Sequence, residues 1–156
     1  MSNSPSDCIF CKIICKEVPA HIIWENADYL AFLSIFPNTE GFTVVAPKEH
    51  YPSYLFDLEE KVYQGLFAAG KEVSKLLEEK LQVGRCAIIA EGLGVNHAHI
   101  KIIPLHGTKK GVQWTAMTSH LDLYFSKYEG YVSSHDYIRA DDRDLEKLAR
   151  KIRKID

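Results

Sequence analysis

The 156-residue sequence lacks a long apolar run and carries little excess charge of either sign. No apolar stretch approaches the ~18 residues that a membrane-spanning helix requires, so we expect no membrane partner. A formal net charge of −2 argues against a broad basic surface for polymeric nucleic acid. Any phosphate ligand must therefore be held by a local group of positive side chains.

A secretory signal, an internal repeat and a low-complexity tract are also missing. Residues 1–7 are small and polar, without the basic and apolar regions of a signal peptide. We therefore predict a cytoplasmic protein, in which the four cysteines stay reduced or bind metal. The chain is long enough, and with 46% hydrophobic residues apolar enough, to form one domain with its own core.

Two of the cysteines form a C-x-x-C motif, from Cys8 to Cys11. Such a pair either binds zinc or cycles as a redox dithiol. A thioredoxin-like dithiol normally follows a strand, and here only seven polar residues precede Cys8. The motif therefore favours zinc over redox chemistry. Cys15 has no evident partner and is interpreted as a bystander thiol.

The segment 96–104 alternates polar and apolar residues, which is the pattern of a half-buried β-strand. His97, His99 and Lys101 would share one face, which we expect to be exposed. The face that we expect in the core carries Ala98, Ile100 and Ile102. Three nitrogen-bearing side chains at this spacing indicate a nucleophile or a metal site, although an ordinary polar face is the alternative.

The other predicted elements are, in chain order, strands at 22–25, 29–33 and 42–47, a helix at 57–81, a strand at 85–90 and a helix at 141–155. Asp57 would cap the long helix and Glu60 would complete a capping box. His50 follows the third strand, where loops often carry sites. Gly92 and Gly94 lie in the turn before the histidine segment, and their amides could approach a ligand closely, although such glycines often serve only the turn.

This order of features resembles the histidine triad (HIT) superfamily: a C-x-x-C, a hairpin, a strand ending in Pro-Lys-x-His, one long helix and His-x-His-x-x-x-x-Pro. The resemblance covers about residues 7–107. It implies an α+β fold with a five-stranded, mainly antiparallel sheet, and a single domain over 1–156 whose C-terminal extension is 108–156. It also implies a homodimer that binds a nucleotide at the triad strand and acts at its α-phosphate.

The resemblance suggests a role for each polar residue near the motif. His99 matches the middle histidine, the nucleophile that forms a covalent nucleotidyl-histidine. Lys101 replaces the third histidine, and we expect Lys101 and the amides of residues 92–94 to stabilise the developing charge on the phosphate. Ser34 stands where many members carry a ribose-binding aspartate, and Ala90 where many carry asparagine.

His97 matches the first triad position, which in zinc-bearing members ligates the metal with two cysteines and an earlier histidine. The resemblance thus implies a structural Zn²⁺ whose four ligands are Cys8, Cys11, His50 and His97. Four protein ligands would leave no open position for water. The alternative is that both histidines are plain polar residues of a pocket.

The extension contains Tyr131 and His135, and we hypothesise that one of them folds over the site, with a surface tail as the alternative. The leading function is a nucleotidyl hydrolase or transferase that acts on a nucleotide small molecule. Two other functions stay open. One is a catalytically weak nucleotide-binding module that has lost its third histidine, and the other is a zinc-stabilised interaction protein.

Overall fold

The computed structural model describes residues 7–113, 115–116, 126 and 138–153. The five strands of these ranges form one sheet: β1 (Ile22–Glu25), β2 (Tyr29–Leu33), β3 (Thr43–Pro47), β4 (Cys86–Ile89) and β5 (Ile100–Pro104). Their order is β1-β2-β3-β5-β4, and every neighbouring pair is antiparallel. The helices are α1 (Ile9–Ile14), α2 (Glu60–Leu81) and α3 (Asp142–Arg153). The predicted α+β fold class is confirmed.

The long helix α2 begins later than predicted. Asp57 closes a short 3₁₀ turn at Leu55–Asp57, and extended backbone at Leu58 separates that turn from the helix. The N-cap residue is Glu59, which makes no side-chain capping hydrogen bond. The predicted capping box of Asp57 and Glu60 is therefore wrong. The helix ends at Leu81, where Gln82 takes the left-handed conformation (φ 56°).

The regular part of the histidine segment is shorter than predicted, because β5 begins at Ile100. Before it, the backbone N–H of Ala98 donates to the carbonyl of Tyr51 at 2.8 Å. The polar face is also not exposed: His97, His99 and Lys101 are 0%, 2% and 5% accessible. The expectation of an exposed strand face is wrong, because both faces of the sheet are covered.

Each face of the sheet has its own apolar layer. The apolar stripe of α2 packs on one face in a cluster that includes Leu66, Val73, Leu77, Val45, Ile100 and Ile102. On the other face, Phe10 and Ile13 of α1 pack in a second cluster, which includes Leu30, Phe32, Val44 and Ala46. Full burial of one such side chain contributes about 1.5–3 kcal/mol. On this face the ring of Phe10 also lies edge-on against the rings of His97 and His99, so the six-residue helix α1 covers both histidines.

The amphipathic C-terminal helix is confirmed, and it contacts β1 and α2. Its buried residues are Leu145, Ala149 and Ile152. The two ring nitrogens of His21 contact carboxylate oxygens of Asp142 and Glu146, at 3.1 and 3.4 Å, and so join the start of β1 to α3. None of the helices within the described ranges is both long and apolar enough to cross a membrane.

The packing of α2 on β5 leaves no room for a side chain at Gly70. A Cβ atom there would lie 2.5 Å from Cδ1 of Ile100, the residue between His99 and Lys101. We expect Gly70→Ala to destabilise the fold by about 1–3 kcal/mol, although alanine is the better helix former by about 1 kcal/mol. Urea denaturation measures the change.

Ile100→Val removes the obstructing methyl group and is the matched control. In that background Gly70→Ala should cost nothing or stabilise the protein. A single Gly70→Ala variant that is more stable than the wild type would contradict the close packing.

Candidate metal centre and nucleotide site

Four potential metal ligands from three separate segments converge at the N-terminal end of β5. Cys8 is the N-cap residue of α1 and Cys11 lies one helical turn later, so both thiols point to the same side. His50 lies just after β3, in the loop whose Tyr51 carbonyl accepts the amide of Ala98. That hydrogen bond brings His50 alongside the histidine segment.

The ligand atoms of Cys8, Cys11, His50 and His97 all lie within 4.8 Å of one another. The Sγ atom of Cys8 is 3.4 Å from Nδ1 of His97, and that of Cys11 is 3.3 Å from Nδ1 of His50 and 3.6 Å from Nδ1 of His97. In a tetrahedral zinc centre, with Zn–S near 2.3 Å and Zn–N near 2.0–2.1 Å, sulfur and nitrogen ligands are about 3.5 Å apart. The cluster therefore has the size and donor set of a structural Cys₂His₂ zinc centre.

Hydrogen bonding orients His97 for metal binding. Its Nε2 lies 2.9 Å from the carbonyl oxygen of Pro47, so Nε2–H donates and the lone pair sits on Nδ1, the atom that faces the thiols. Burial is the main cause that lowers the pKa of His97 to about 4; the hydrogen bond to the Pro47 carbonyl opposes this shift, and the nearby His50 and His99 add to it. The ring is thus neutral at neutral pH, which is the form that binds metal.

The pKa of the Cys11 thiol shifts in the opposite direction. Burial, together with the hydrogen bond and charge of Cys8, raises the pKa of Cys11 to about 11. Two thiolates and two imidazoles this close are unfavourable without a cation among them, and a coordinated thiol is deprotonated outright. The donor set thus fits a divalent zinc ion.

His99 lies two residues after His97, and the backbone of the same segment holds its ring in place. Its Nδ1 is 2.7 Å from the carbonyl oxygen of His97, so Nδ1–H donates and the neutral ring carries its lone pair on Nε2. The ring of Phe10 meets it edge-on, with centroids 5.2 Å apart at 89°. A fixed tautomer in a fixed orientation is what an imidazole nucleophile requires.

Lys101 is not available as an isolated cation, because its Nζ pairs with Oε1 of Glu91. Both side chains are buried, 6% and 8% exposed. Burial on its own would raise the pKa of Glu91, but the hydrogen bond and charge of Lys101, with smaller contributions from the backbone amide of Gly92 and from His99, outweigh it and lower the pKa below its ordinary value. Glu91 is therefore a carboxylate at neutral pH. Its second oxygen, Oε2, has no hydrogen-bond partner among the described residues.

Sequence reasoning missed Glu91, which directly precedes Gly92. The sequence alone carries no signal for this pairing, because it depends on the β4–β5 register: Ile89 lies opposite Lys101, and Glu91 follows Ile89 by two residues. Side chains two residues apart on a strand point to the same side. Phe10 and the carbonyl of Pro47 were missed as well, because only the docking of α1 and the fold of the sheet bring them to the histidines.

The remaining predicted site residues lie in less enclosed positions. Ser34 follows β2, and its Oγ accepts the amide of Phe36 at 3.1 Å. Gly92 has a left-handed backbone (φ 66°), and a Cβ there would lie 2.6 Å from the carbonyl oxygen of Ser53, so the turn itself requires glycine. Gly94 is exposed in the same turn. His135 and Tyr131 lie outside the described residues.

Comparison with known proteins identifies the family. The HIT domain profile matches residues 15–108, more than half of the chain. The protein belongs to the HIT family. An uncharacterised HIT-like protein of Borreliella burgdorferi is 39% identical over an alignment of 105 residues, which covers 63% of this chain and 75% of that protein. The resemblance that the motifs indicated is therefore confirmed.

Two solved HIT structures are similar to this one. A zinc-bound histidine triad family protein from Mycobacterium smegmatis has a TM-score of 0.67 at 25% identity, over 96% of this chain and 93% of that one. A HIT family hydrolase from Clostridium thermocellum has a TM-score of 0.57 at 26% identity, over 70% of this chain and all of that one. Together with the Cys₂His₂ cluster, the first likeness confirms the prediction of structural zinc.

Proposed function

We propose that this HIT protein is a nucleotidyl hydrolase or transferase that acts at the α-phosphate of a nucleotide through a covalent intermediate on His99. The observation that carries the proposal is the 2.7 Å hydrogen bond from Nδ1 of His99 to the carbonyl of His97. It leaves Nε2 as the basic nitrogen of a buried, oriented ring. The hydrolase description of the similar Clostridium thermocellum structure supports the same reaction class.

The reaction takes two displacements at phosphorus. In the first, Nε2 of His99 forms a bond to the α-phosphorus, and the bond to the leaving group breaks with its electron pair going to the leaving group. In the second, water or an acceptor hydroxyl attacks the phosphorus, the P–N bond breaks and its electron pair returns to Nε2. The proton of the attacking group passes to solvent. Each step is easier than a single direct displacement.

The surrounding residues position the nucleophile and the phosphate. The carbonyl of His97 stabilises the positive charge that the ring of His99 gains in the intermediate. Lys101, still paired with Glu91, is the proposed hydrogen-bond donor to the phosphate, where negative charge develops. Ser34, Gly92 and Gly94 are proposed contacts of the nucleotide, and His135 stays a proposed contact from the extension. Zinc held by Cys8, Cys11, His50 and His97 has a structural role and takes no part in the displacements.

We further propose that the protein works in the cytoplasm as a homodimer, with a core at 7–107 and an extension at 108–156, and that its ligand is a free nucleotide and not polymeric nucleic acid. The second candidate function is a nucleotide-binding module with little turnover. The pairing of Lys101 with Glu91 favours it, because a lysine whose charge is offset by a neighbouring carboxylate attracts phosphate less strongly than an unpaired lysine does.

Intact-protein mass spectrometry after a brief incubation and quench tests the proposal. The panel contains nucleoside phosphoramidates, dinucleoside polyphosphates and nucleotide sugars of all four bases. We expect a nucleotidyl mass increment on the wild type and none on His99→Ala. His106→Ala is the matched control, because His106 is exposed and follows β5.

An adduct that persists in His99→Ala would place the nucleophile elsewhere. Absence of both adduct and turnover across the panel, with nucleotide binding retained, would favour the binding module.

A further inference from the structure

The feature that the proposed reaction does not use is the second oxygen of Glu91. Its side chain is more than nine-tenths buried beside Lys101, yet Oε2 has no partner among the described residues. A buried carboxylate oxygen without a hydrogen bond is costly, because it loses its water and gains no donor in return. Such an atom is satisfied when a ligand brings a donor to it.

Oε2 of Glu91 lies near the position that we expect for the leaving group. His99 immediately precedes β5 and Lys101 follows it by two residues, which in an extended chain places the two side chains on the same side, about 6.6 Å apart along the backbone. The carboxylate of Glu91 contacts Lys101 directly. A phosphate bound between His99 and Lys101 therefore lies next to Glu91, and so does the group attached to that phosphate.

A carboxylate at this position discriminates between kinds of leaving group. A second phosphate would place negative charge against a buried negative charge, which is strongly unfavourable in a site shielded from water. An amine or a hydroxyl would donate a hydrogen bond to Oε2 and would satisfy it. The pair with Lys101 adds to the effect, because it leaves no uncompensated cation to hold an additional phosphate.

We propose that Glu91 is a specificity-determining residue. It excludes nucleotides whose α-phosphate is bonded to a further phosphate. It favours nucleotides whose leaving group is uncharged or carries an amine or a hydroxyl. This inference rests on the proposed function and extends it from a reaction class to a substrate class. Glu91→Gln is the variant that tests this role of the carboxylate. Glutamine keeps an acceptor for Lys101 and removes the negative charge.

The first measurement is equilibrium binding, which does not require turnover. Isothermal titration of nucleoside monophosphates and diphosphates of the four bases gives the ratio of their affinities for each variant. We expect the wild type to prefer the monophosphate and Glu91→Gln to reduce that preference about tenfold or more, mainly by tighter binding of the diphosphate. Glu91→Asp, which keeps the charge, should retain the preference. Glu72→Gln on the exposed side of α2 is the matched control.

The second measurement compares kcat/KM for a nucleoside phosphoramidate and a dinucleoside triphosphate of the same base. We expect their ratio to fall in Glu91→Gln by a factor similar to the change in the binding ratio. Thermal unfolding and zinc content of each variant establish that the fold is retained.

The outcomes separate the two proposals. An equal gain in affinity for mono- and diphosphates would show that Glu91 only competes for Lys101, and would overturn the specificity role. An unchanged ratio would overturn it as well. Binding that follows the expected ratios without turnover of any substrate would support the role of Glu91 and contradict the enzymatic function. No binding of any nucleotide would overturn both.

Discussion

Removal of zinc is expected to lower the midpoint of thermal unfolding by about 10 °C or more, because the metal holds the N-terminal layer on the sheet. A helix of six residues is far too short to be stable alone. Its attachment depends on the apolar contacts of Phe10 and Ile13 and on the two thiols at the metal centre. Without the metal, the thiols and imidazoles lose the charge that holds them together.

Calorimetry before and after incubation with a chelator measures this change, and elemental analysis should give one zinc ion per chain. Amide hydrogen exchange should accelerate first in α1, while α2 keeps its protection because its apolar stripe packs on the opposite face. Cys11→Ser should reproduce the loss of zinc and of stability. Cys15→Ser is the matched control, because Cys15 is exposed and outside the cluster. Stoichiometric zinc and an unchanged midpoint in Cys11→Ser would contradict the ligand assignment.

The parts of this site that could be predicted from the sequence depend on local spacing. The C-x-x-C motif places two thiols one turn apart, and the alternation in 96–104 places His97, His99 and Lys101 on one side of the chain. Both arrangements are local and do not depend on how the two segments pack in the folded protein. The five-stranded, mainly antiparallel sheet and the set of four zinc ligands followed from the resemblance to the HIT superfamily and not from the patterns alone.

The rest depends on contacts between distant segments. Alternation distinguishes two faces of a strand but does not say whether a second layer covers the polar face, and here Phe10 of α1 covers the rings of His97 and His99. The partner of Lys101 is set by the register between β4 and β5, which hydrophobic periodicity does not specify. The capping error at Asp57 has a similar origin, since a 3₁₀ turn and extended residues intervene before α2. In each case tertiary packing decided between locally acceptable alternatives.

Lys101→Met is expected to destabilise the protein by about 3–5 kcal/mol. The substitution leaves the carboxylate of Glu91 buried, and that carboxylate already has one oxygen without a partner among the described residues. This loss is a large fraction of the about 5–15 kcal/mol that stabilises a typical domain. Urea denaturation measures it, with Glu91→Leu and the double variant completing a double-mutant cycle.

The double variant Lys101→Met/Glu91→Leu separates the structural role of the pair from its role toward phosphate. Removing both charges should restore most of the stability, because a buried ion pair can be replaced by apolar side chains at little cost. If Lys101 also stabilises the charge on the phosphate, the stable double variant should still lose turnover by about two orders of magnitude or more. Recovery of both stability and turnover would show that the lysine serves only to neutralise Glu91.

Lys101→His restores the third histidine of the family motif. This variant tests whether Lys101 has a function of its own or is a replacement that weakened the site. At neutral pH an imidazole is mostly uncharged and shorter than lysine, so it leaves Glu91 without a full cationic partner. We therefore expect this variant to lose both stability and turnover. A large gain in rate would contradict this expectation and would identify the lysine as the replacement that impaired an ancestral triad. The double variant Lys101→His/Glu91→Gln then tests the cause. If the unpaired carboxylate of Glu91 is responsible for the loss, the double variant should recover stability and turnover.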